Sequence, residues 1–459
     1  MRPMVALVMA VVMACVVLTA DALQAAGTDS LDWQTCGDHG AECAALPVPL
    51  DWAHPDGDRI TVAVSRIKAG VRARRIGTLF FNPGGPGGAA RSYIRDVAAE
   101  AFPADLLDRF DIVGVDPRGI GESEPPIACE KPTADPSATQ FPQTRAEFDQ
   151  LVAYNRDVAE GCRRATGPLI DHVDTVSTAK DFEAVRIALG DRQVSWLGLS
   201  YGTLLGATYA HLYPARVRAA VLDGAVDHTV GSRALAVDEA RTTEDVFGRF
   251  ADWCQSDETC ALRGRDVAAE YRALLDRAPL PAAGFADGAT AAQIGYATYG
   301  KLTFPNEWSE LAKDIGDAAT DATVFAANGA SSPAYRVITC HDLPTADIAY
   351  EELAARQREV LALAPTTRGY VEGWDIQTGC LGWPIPPANP WARTTGRGKS
   401  VLVVGGTHDP STPHEWAVEM ASQLRGSKLL TWDGVGHTGY LNDPDTQRRE
   451  VEFLVSGPR

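Results

Sequence analysis

A serine lies between two glycines in the segment Gly198-Leu199-Ser200-Tyr201-Gly202. The residues before it, VSWL, read as a short buried strand, and TLLGATYAHLYP after it reads as a helix that ends near Pro214. Glycine is used where the backbone must bend sharply or approach another group closely. A serine on such a strand-to-helix turn has its hydroxyl group pushed out of the sheet. The pattern predicts that Ser200 is a nucleophile for acyl transfer.

A nucleophilic serine needs a general base, and the base needs an acid that orients it. Among the nine histidines, His437 follows a late strand-like stretch inside the glycine-rich segment DGVGHTGY. Asp409 follows the apolar stretch VLVV and precedes His437 by 28 positions (437 minus 409), which leaves room for one helix and one strand. Asp223 and Asp433 are alternative acids. We favour Asp409, because Asp433 is very close to His437 in sequence.

Acyl transfer also needs backbone N–H groups aimed at the negative charge that develops on the carbonyl oxygen. The residue after the nucleophile, Tyr201, supplies one N–H. The segment FNPGGPGG at 81–88 follows an early strand and can supply the other. Pro86 has no N–H, so we predict Gly85 as the second donor and keep Gly84 as the alternative.

Strand-like and helix-like segments alternate from about residue 59 and would position these groups. RITVAVSRI, GTLFFNPGG, FDIVGVDPRG, VSWLGLS and VRAAVLDG read as strands. The segment TAKDFEAVRIALG reads as a helix, with Thr178 and Asp181 spaced as a capping box. Apolar strands that alternate with helices predict a mostly parallel sheet covered on both faces. Together with the serine turn, this order predicts the α/β-hydrolase fold.

The alternation stops after residue 225 and resumes near residue 391. Helix-like stretches with Ala-, Gly- and Pro-rich joints fill the interval, which is far longer than one crossover needs. We therefore predict a signal peptide over 1–26, a first part of the core over 27–225, a mainly helical cap over 226–390 and a C-terminal part of the core over 391–459. The cap would lie above the carboxyl ends of the strands, where such sheets carry their sites.

The first residues have the pattern of a secretory signal peptide. One Arg precedes an uncharged apolar run from Pro3 to Ala20, and Ala20-Asp21-Ala22 offers an A-x-A cleavage site. A retained membrane anchor is an alternative, as is lipidation of Cys15 within the segment VMAC. We expect a secreted or cell-envelope protein.

The remaining eight cysteines fit an exported chain with disulfide bonds. Sequence order predicts the pairs Cys36–Cys43, Cys129–Cys162, Cys254–Cys260 and Cys340–Cys380. No CxxC or Cys/His cluster is present, so we expect no metal, and no cofactor motif appears. The net charge of −18 opposes a nucleic-acid partner, which would need a basic face.

Taken together, the motifs resemble those of the secreted tripeptidyl aminopeptidases of actinobacteria, relatives of proline iminopeptidase. The resemblance rests on NPGGPGG, FDIVGVDPRGIGES, WLGLSYGTLLGATYAHLYPARVRAAVLDGAVDH, ADWCQSDETCAL, VITCHD and GGTHDPSTP. It implies an exported serine exopeptidase with Ser200, Asp409 and His437 as its triad and a cap that limits access to peptide N-termini. The chain departs from the family at Ala89-Ala90, where Ser-Gly is usual. A carboxylesterase with the same triad is the alternative, whereas a binding protein would not need the triad.

A peptide N-terminus carries an ammonium group, and carboxylates of the cap would have to pair with it. We predict Asp342 and Glu307 for this role. The sequence leaves open how many residues are released and the oligomeric state.

Overall fold

The computed structural model describes residues 31–37, 40–135, 137–328 and 331–458. The predicted signal peptide over 1–26, with Cys15, lies outside these residues. In the described ranges no helix is long and apolar enough to cross a membrane.

The strands of the described chain form one large sheet and one two-stranded pair. In chain order they are β1 (Gln34–Thr35), β2 (Glu42–Pro49), β3 (Arg59–Ile67), β4 (Gly77–Asn82), β5 (Phe110–Val115), β6 (Val194–Leu199), β7 (Val217–Asp223), β8 (Gly396–Arg397), β9 (Val401–His408), β10 (Leu424–Arg425) and β11 (Lys428–Val435). The large sheet has the order β1-β2-β3-β5-β4-β6-β7-β9-β11, and β8 pairs with β10. Neighbouring strands from β5 to β11 in this order are parallel, and β1, β2 and β3 form an antiparallel edge. This is the predicted fold class.

The helices follow the strands in regular alternation except in one long interval. In chain order they are α1 (Ala90–Ala101), α2 (Ala104–Leu107), α3 (Arg145–Thr166), α4 (Thr175–Ala188), α5 (Tyr201–Leu212), α6 (Gly231–Ser256), α7 (Val267–Arg277), α8 (Ala291–Leu302), α9 (Trp308–Asp317), α10 (Thr323–Asn328), α11 (Pro333–Asp342), α12 (Tyr350–Leu363), α13 (Glu372–Gly379), α14 (His414–Gln423), α15 (Gly439–Asn442) and α16 (Pro444–Ser456). Short 3₁₀ helices cover Arg72–Arg74, Gly167–His172 and Pro305–Glu307.

The central strands are buried on both faces, which explains their continuous apolar sequences. Side chains of β4 alternate between the two layers, since Phe81 packs in the cluster that contains Ile94 of α1 and Phe80 packs in the opposite cluster. In that opposite cluster Phe182 of α4 meets the rings of Phe80 and Trp196 edge-on or tilted. The period of two therefore gives each face of the sheet its own layer of helices.

Parallel pairing brings the carboxyl ends of the central strands to one edge of the sheet. Asn82 of β4 pairs with Gly198 of β6, and Leu199 of β6 pairs with Asp223 of β7. Asp223 in turn pairs with Val404 of β9. The segments that carry the predicted oxyanion donors, nucleophile, acid and base thus leave the sheet at the same edge.

Eight helices of the described chain, α6 to α13, lie between β7 and β9. Several of them share an apolar core that includes Phe250 of α6, Tyr271 of α7, Ile294 of α8 and Leu311 of α9. Helix α3 lies outside this interval and was not predicted from sequence. It contacts the segment after β7 through Asn155, which donates hydrogen bonds to the carbonyl groups of Thr378 and Leu381 at 2.8 and 3.0 Å. The predicted boundaries at residues 225 and 390 stay predictions.

The capping box predicted for α4 is wrong. The helix begins at Thr175, and Asp174 is its N-cap residue, accepting a hydrogen bond from the Ser177 N–H. Asp181 instead forms a buried ion pair with Arg118. An N-cap residue must precede the first helical turn, and Thr178 already lies inside the helix, four positions after the true N-cap residue Asp174.

Four disulfide bonds are present in the described residues, in the pairing that sequence order predicts: Cys36–Cys43, Cys129–Cys162, Cys254–Cys260 and Cys340–Cys380. Cys340 belongs to α11, and Cys380 follows the last residue of α13. This bond therefore ties α11 to the end of α13.

Replacing both cysteines of the Cys340–Cys380 bond by Ala should destabilise the protein more than the same change at Cys36–Cys43. Their partners are 40 and 7 positions apart, so loop-closure entropy predicts losses in the free energy of unfolding of about 4 and about 2 kcal/mol. Urea unfolding followed by circular dichroism measures both losses. Equal losses would contradict the loop-length argument.

Candidate active site

The two glycines around Ser200 are required by close backbone contacts. A Cβ atom on Gly198 would lie 2.2 Å from the Gly202 carbonyl oxygen, and one on Gly202 would lie 2.6 Å from the Asn82 carbonyl oxygen. Neither position accepts a side chain without movement of the backbone. The turn between β6 and α5 is therefore packed directly on the end of β4.

Ser200 itself has an unusual backbone conformation, with φ of 56° and ψ of −126°. Such conformations cost on the order of 1–3 kcal/mol in non-glycine residues and persist only when surrounding contacts hold them. The Ser200 N–H donates to the Asp223 carbonyl at 2.9 Å, and the Ser200 carbonyl accepts from the Thr203 N–H at 2.8 Å. The side chain remains partly exposed at the start of α5, as expected of a nucleophile on a strand-to-helix turn.

His437 and Asp409 are in direct contact after β11 and β9. The Nδ1 atom of His437 lies 2.9 and 3.0 Å from the two carboxylate oxygens of Asp409. Asp409 is 1% exposed, and it also accepts hydrogen bonds from the backbone N–H groups of Ser411 and Thr412, both at 2.9 Å. These bonds fix the carboxylate, which in turn fixes the orientation of the imidazole ring.

The other ring nitrogen of His437 has no hydrogen-bond partner among the described residues, although it is buried. Burial alone would lower the pKa of His437, but the charges of Asp409, Glu372 and Asp223 outweigh it and raise the pKa above the usual value of 6.5. An imidazole with one nitrogen held by a carboxylate and the other unpaired is suited to accept a proton.

The alternative acids occupy other places. Asp223 is fully buried, and its carboxylate accepts hydrogen bonds from the backbone N–H groups of Gly439 and Tyr440 at 3.1 and 2.7 Å, next to His437. Burial raises the pKa of Asp223 to about 6. Asp433 is exposed and accepts from the Thr407 hydroxyl. Asp223 thus supports the histidine loop, and Asp409 contacts the histidine ring.

The two predicted sources of oxyanion N–H groups lie side by side. A Cβ atom built on Gly84 would be 2.9 Å from the Ser200 Cβ and 3.2 Å from the Tyr201 nitrogen. The Gly84 N–H is already used, because it donates to the Asn82 side chain at 3.0 Å. In the described chain the Gly85 N–H has no acceptor, and this leaves Gly85 rather than Gly84 as the available donor.

The two acidic residues predicted to bind a substrate ammonium lie elsewhere. Asp342 is fully buried and its oxygens are occupied by hydrogen bonds from the side chains of Thr175, Tyr201 and Asn389. It cannot reach a substrate, so this prediction is corrected. Glu307 lines a cavity of about 260 Å³ together with Lys301, and no hydrogen bond or ion pair of the described residues links it to Ser200 or His437.

The structure brings a different pair of acidic residues to the site, Glu372 of α13 and Glu239 of α6. Glu372 accepts hydrogen bonds from the hydroxyl groups of Tyr335 and Ser411 at 2.5 and 3.3 Å. The backbone N–H of Ser411 also donates to Asp409, so Ser411 is hydrogen-bonded to both Glu372 and Asp409. Glu239 accepts from the Gly373 N–H at 2.7 Å.

Burial raises the pKa of Glu372 and of Glu239, and the charge of Glu372 adds to the effect on Glu239. Within the described ranges no Lys or Arg forms an ion pair with either carboxylate. Sequence reasoning missed both residues, because many acidic residues of the cap are equally plausible until the helices are packed. No group of three His, Cys, Asp or Glu in the described residues could hold a metal ion.

Comparisons with known proteins agree with this geometry. The model of the alpha/beta hydrolase fold family matches residues 77–444. Serine protease Hip1 of Mycobacterium tuberculosis is 32% identical over 452 residues, covering 91% of this chain and 86% of that protein. The tripeptidyl aminopeptidase of Streptomyces coelicolor is 32% identical over 467 residues, covering 93% and 84%. Carboxylesterase B of Mycobacterium tuberculosis is 34% identical over 436 residues, covering 88% and 81%.

The chain belongs to the α/β-hydrolase family. Within it, the chain is a serine hydrolase of the group that contains the actinobacterial tripeptidyl aminopeptidases and Hip1, which confirms the resemblance read from its motifs.

Replacing Asp409 by Asn should lower kcat by about 10⁴-fold, because the amide can no longer hold the productive tautomer of His437. The wild-type kcat/KM should fall on the acid side with a midpoint above pH 6.5, because the base works only when neutral and its pKa is raised. Asp409→Asn removes one of the charges that raise the pKa of His437. The residual activity of this variant should therefore fall on the acid side with a midpoint at lower pH than in the wild type. A pH series with a chromogenic substrate measures both effects.

Asp223→Asn is the matched control, since it removes a buried carboxylate from the next strand end. It should lower kcat by about tenfold or less, because one oxygen remains to accept from the histidine loop. A larger loss in Asp223→Asn than in Asp409→Asn would identify Asp223 as the acid.

Proposed function

We propose that this protein is an exported serine exopeptidase that releases short peptides, and specifically tripeptides, from free peptide N-termini. The single observation that carries the proposal is the carboxylate pair Glu239–Glu372, which is linked to Asp409 through Ser411 and forms no ion pair with a Lys or Arg of the described residues. A hydrolase that acts on uncharged esters does not need such a pair of carboxylates. The ammonium group of a peptide substrate would supply the cation that the pair lacks. The relatives named tripeptidyl aminopeptidase support the length of the released peptide.

We infer the reaction from the roles proposed for the three side chains. His437 takes the proton of the Ser200 hydroxyl through Nε2, which has no other partner in the described chain. The serine oxygen attacks the substrate carbonyl, and the N–H groups of Tyr201 and Gly85 stabilise the oxyanion. Asp409 stabilises the imidazolium that forms. His437 then protonates the leaving amine, and water hydrolyses the acyl-enzyme by the same route in reverse order.

The ammonium group of the substrate is expected to bind at Glu372. Glu372 is a partly exposed residue, whereas Glu239 is buried. Charge-assisted hydrogen bonds of this kind contribute on the order of 1.5–3 kcal/mol. The hydroxyl groups of Tyr335 and Tyr299 donate hydrogen bonds to the Glu372 carboxylate at 2.5 and 3.4 Å. The receptor is therefore fixed before substrate binds.

A carboxylesterase with the same triad is the second candidate, and the relative named Carboxylesterase B favours it. The two candidates differ in what the acyl part of the substrate carries. A peptidase of this kind requires a cation there, and a simple ester has none. Export is supported by the four disulfide bonds, which persist in oxidising compartments.

The proposed activity is tested with a matched pair of chromogenic tripeptides, one with a free amino end and one acetylated. The free peptide should have a kcat/KM about 10- to 100-fold higher than the acetylated one. This range converts the charge-assisted hydrogen bonds at about 1.4 kcal/mol per tenfold change. Ser200→Ala should abolish turnover and labelling by an organophosphonate. Equal turnover of the two peptides, or ester hydrolysis without peptide cleavage, would support the esterase.

Glu372→Gln should remove most of the preference for a free amino end, because the amide keeps the shape and loses the charge. The measured quantity is the ratio of kcat/KM for the free and acetylated tripeptides. Glu307→Gln is the matched control and should keep the wild-type ratio. If Glu307→Gln loses the preference and Glu372→Gln keeps it, the ammonium binds in the cavity beside Lys301 instead.

A further inference from the structure

Asp342, the last residue of α11, is a buried carboxylate whose partners are all neutral groups of the protein. It accepts hydrogen bonds from the Thr175 N–H at 3.0 Å, the Thr175 hydroxyl at 2.7 Å and the Asn389 side chain at 2.8 Å. The fourth donor is the phenol of Tyr201 at 3.0 Å. Neither the triad nor the proposed ammonium receptor uses this carboxylate.

Tyr201 connects this carboxylate to the reacting centre. It directly follows Ser200 and is the first residue of α5, so its N–H points out of the helix N-terminus. Its side chain is 6% exposed, and the phenol also touches the Thr175 hydroxyl. Because the phenol is held at Asp342, the ring and the backbone of Tyr201 are restrained together.

The opposite end of α11 contacts the segment that carries the second oxyanion donor. A Cβ atom on Gly87 would lie 3.7 Å from the Ala334 Cβ and 3.8 Å from the Tyr335 nitrogen. The Gly88 N–H donates to the Gly84 carbonyl at 3.1 Å and closes this segment into a tight turn. Helix α11 therefore spans the oxyanion site, with its first turn against one donor loop and its last residue on the other donor.

Helix α11 is itself held firmly in the cap. Arg336 forms an ion pair with Asp375 of α13 at 2.7 Å and also donates to the Asp375 carbonyl. The disulfide bond Cys340–Cys380 ties the same two segments. A helix fixed in this way can restrain the groups at its two ends.

We propose that Asp342 is a positioning residue for the oxyanion site and acts through the phenol of Tyr201, with α11 as the rigid spacer that also supports the Gly85 loop. The proposal rests on the oxyanion donors assigned under the proposed function. Donors must lie about 2.7–3.1 Å from the oxyanion, and loss of one donor costs about 10²–10³-fold in kcat. A Tyr201 backbone that is no longer held should thus cost about tenfold or more.

The test compares Tyr201→Phe and Asp342→Asn with wild type on 4-nitrophenyl acetate, a small ester that does not need the ammonium receptor. We expect kcat to fall about tenfold or more with KM changed less than about twofold, since the oxyanion exists only in the transition state. The inhibition constant of a tripeptide aldehyde, whose tetrahedral adduct places an oxygen in the same site, should rise by a similar factor. Rates are expressed per site labelled by an organophosphonate, so partial misfolding does not affect them.

Tyr209→Phe is the matched control on the same helix. Tyr209 is buried and donates its phenol proton to Glu183 at 2.9 Å, so the variant loses an equivalent buried hydrogen bond away from Ser200. Its melting temperature should fall as in Tyr201→Phe, with kcat and aldehyde affinity within about twofold of wild type.

A Tyr201→Phe enzyme with wild-type kcat and aldehyde affinity would overturn the positioning role, and so would an equal loss in Tyr209→Phe. If Asp342→Asn does not fold, Tyr201→Phe decides alone, because it removes a single oxygen atom. Wild-type protein that neither hydrolyses the ester nor reacts with the phosphonate would instead overturn the proposed function.

Discussion

The chain between β6 and α5 runs so close to the end of β4 that backbone touches backbone, and the strained serine depends on this contact. Gly198 and Gly202 leave no space for a Cβ atom, and Gly84 in the segment after β4 approaches the same turn. Close packing forces Ser200 into a conformation that an isolated peptide would avoid, with φ of 56°. The hydroxyl and the neighbouring N–H groups are thereby fixed before substrate binds, which is the condition for electrostatic stabilisation of a transition state.

The carboxylates of Asp409, Asp223 and Glu372 lie near His437, and they give the site one electrostatic character. Asp409 contacts the ring, Asp223 supports the loop that carries it, and Glu372 on α13 accepts a hydrogen bond from Ser411. Their field raises the pKa of His437, so it stabilises the imidazolium that forms during acyl transfer. The same field would attract a substrate ammonium group. A cation bound at Glu372 would offset part of that field, so the base would lose proton affinity when substrate is present and would give up its proton more readily to the leaving amine.

The parts of this site that follow strand ends could be predicted from sequence, and the parts supplied by the cap could not. Ser200, Asp409 and His437 each follow an apolar strand within a short polar or glycine-rich turn, and parallel pairing brings such turns to one edge. Glu372 carries no comparable local signal, because its position depends on how α13 packs against α6 and on its contact with Ser411 in the loop after β9. The same limitation explains why the prediction for Asp342 was wrong. Asp342 was predicted to bind the substrate, and its carboxylate is instead hydrogen-bonded to Thr175, Tyr201 and Asn389. Helix α3 was missed, and the two carbonyl groups that Asn155 contacts lie more than two hundred residues away in sequence.

The cap therefore helps to position groups of the site in addition to covering the core. One helix, α11, contacts the loop after β4 at its start, supports Glu372 through Tyr335, and holds Tyr201 at its end. Any displacement of α11 relative to the sheet would move an oxyanion donor and the proposed ammonium receptor together. Under the two proposals, one rigid element would set both the length of the released peptide and the stabilisation of the transition state. A cap that opened as a lid would break the buried Asp342–Tyr201 bond and leave a carboxylate without one of its donors, a change that costs about 1–3 kcal/mol. The buried bond at the end of α11 favours a fixed chamber over a hinged lid.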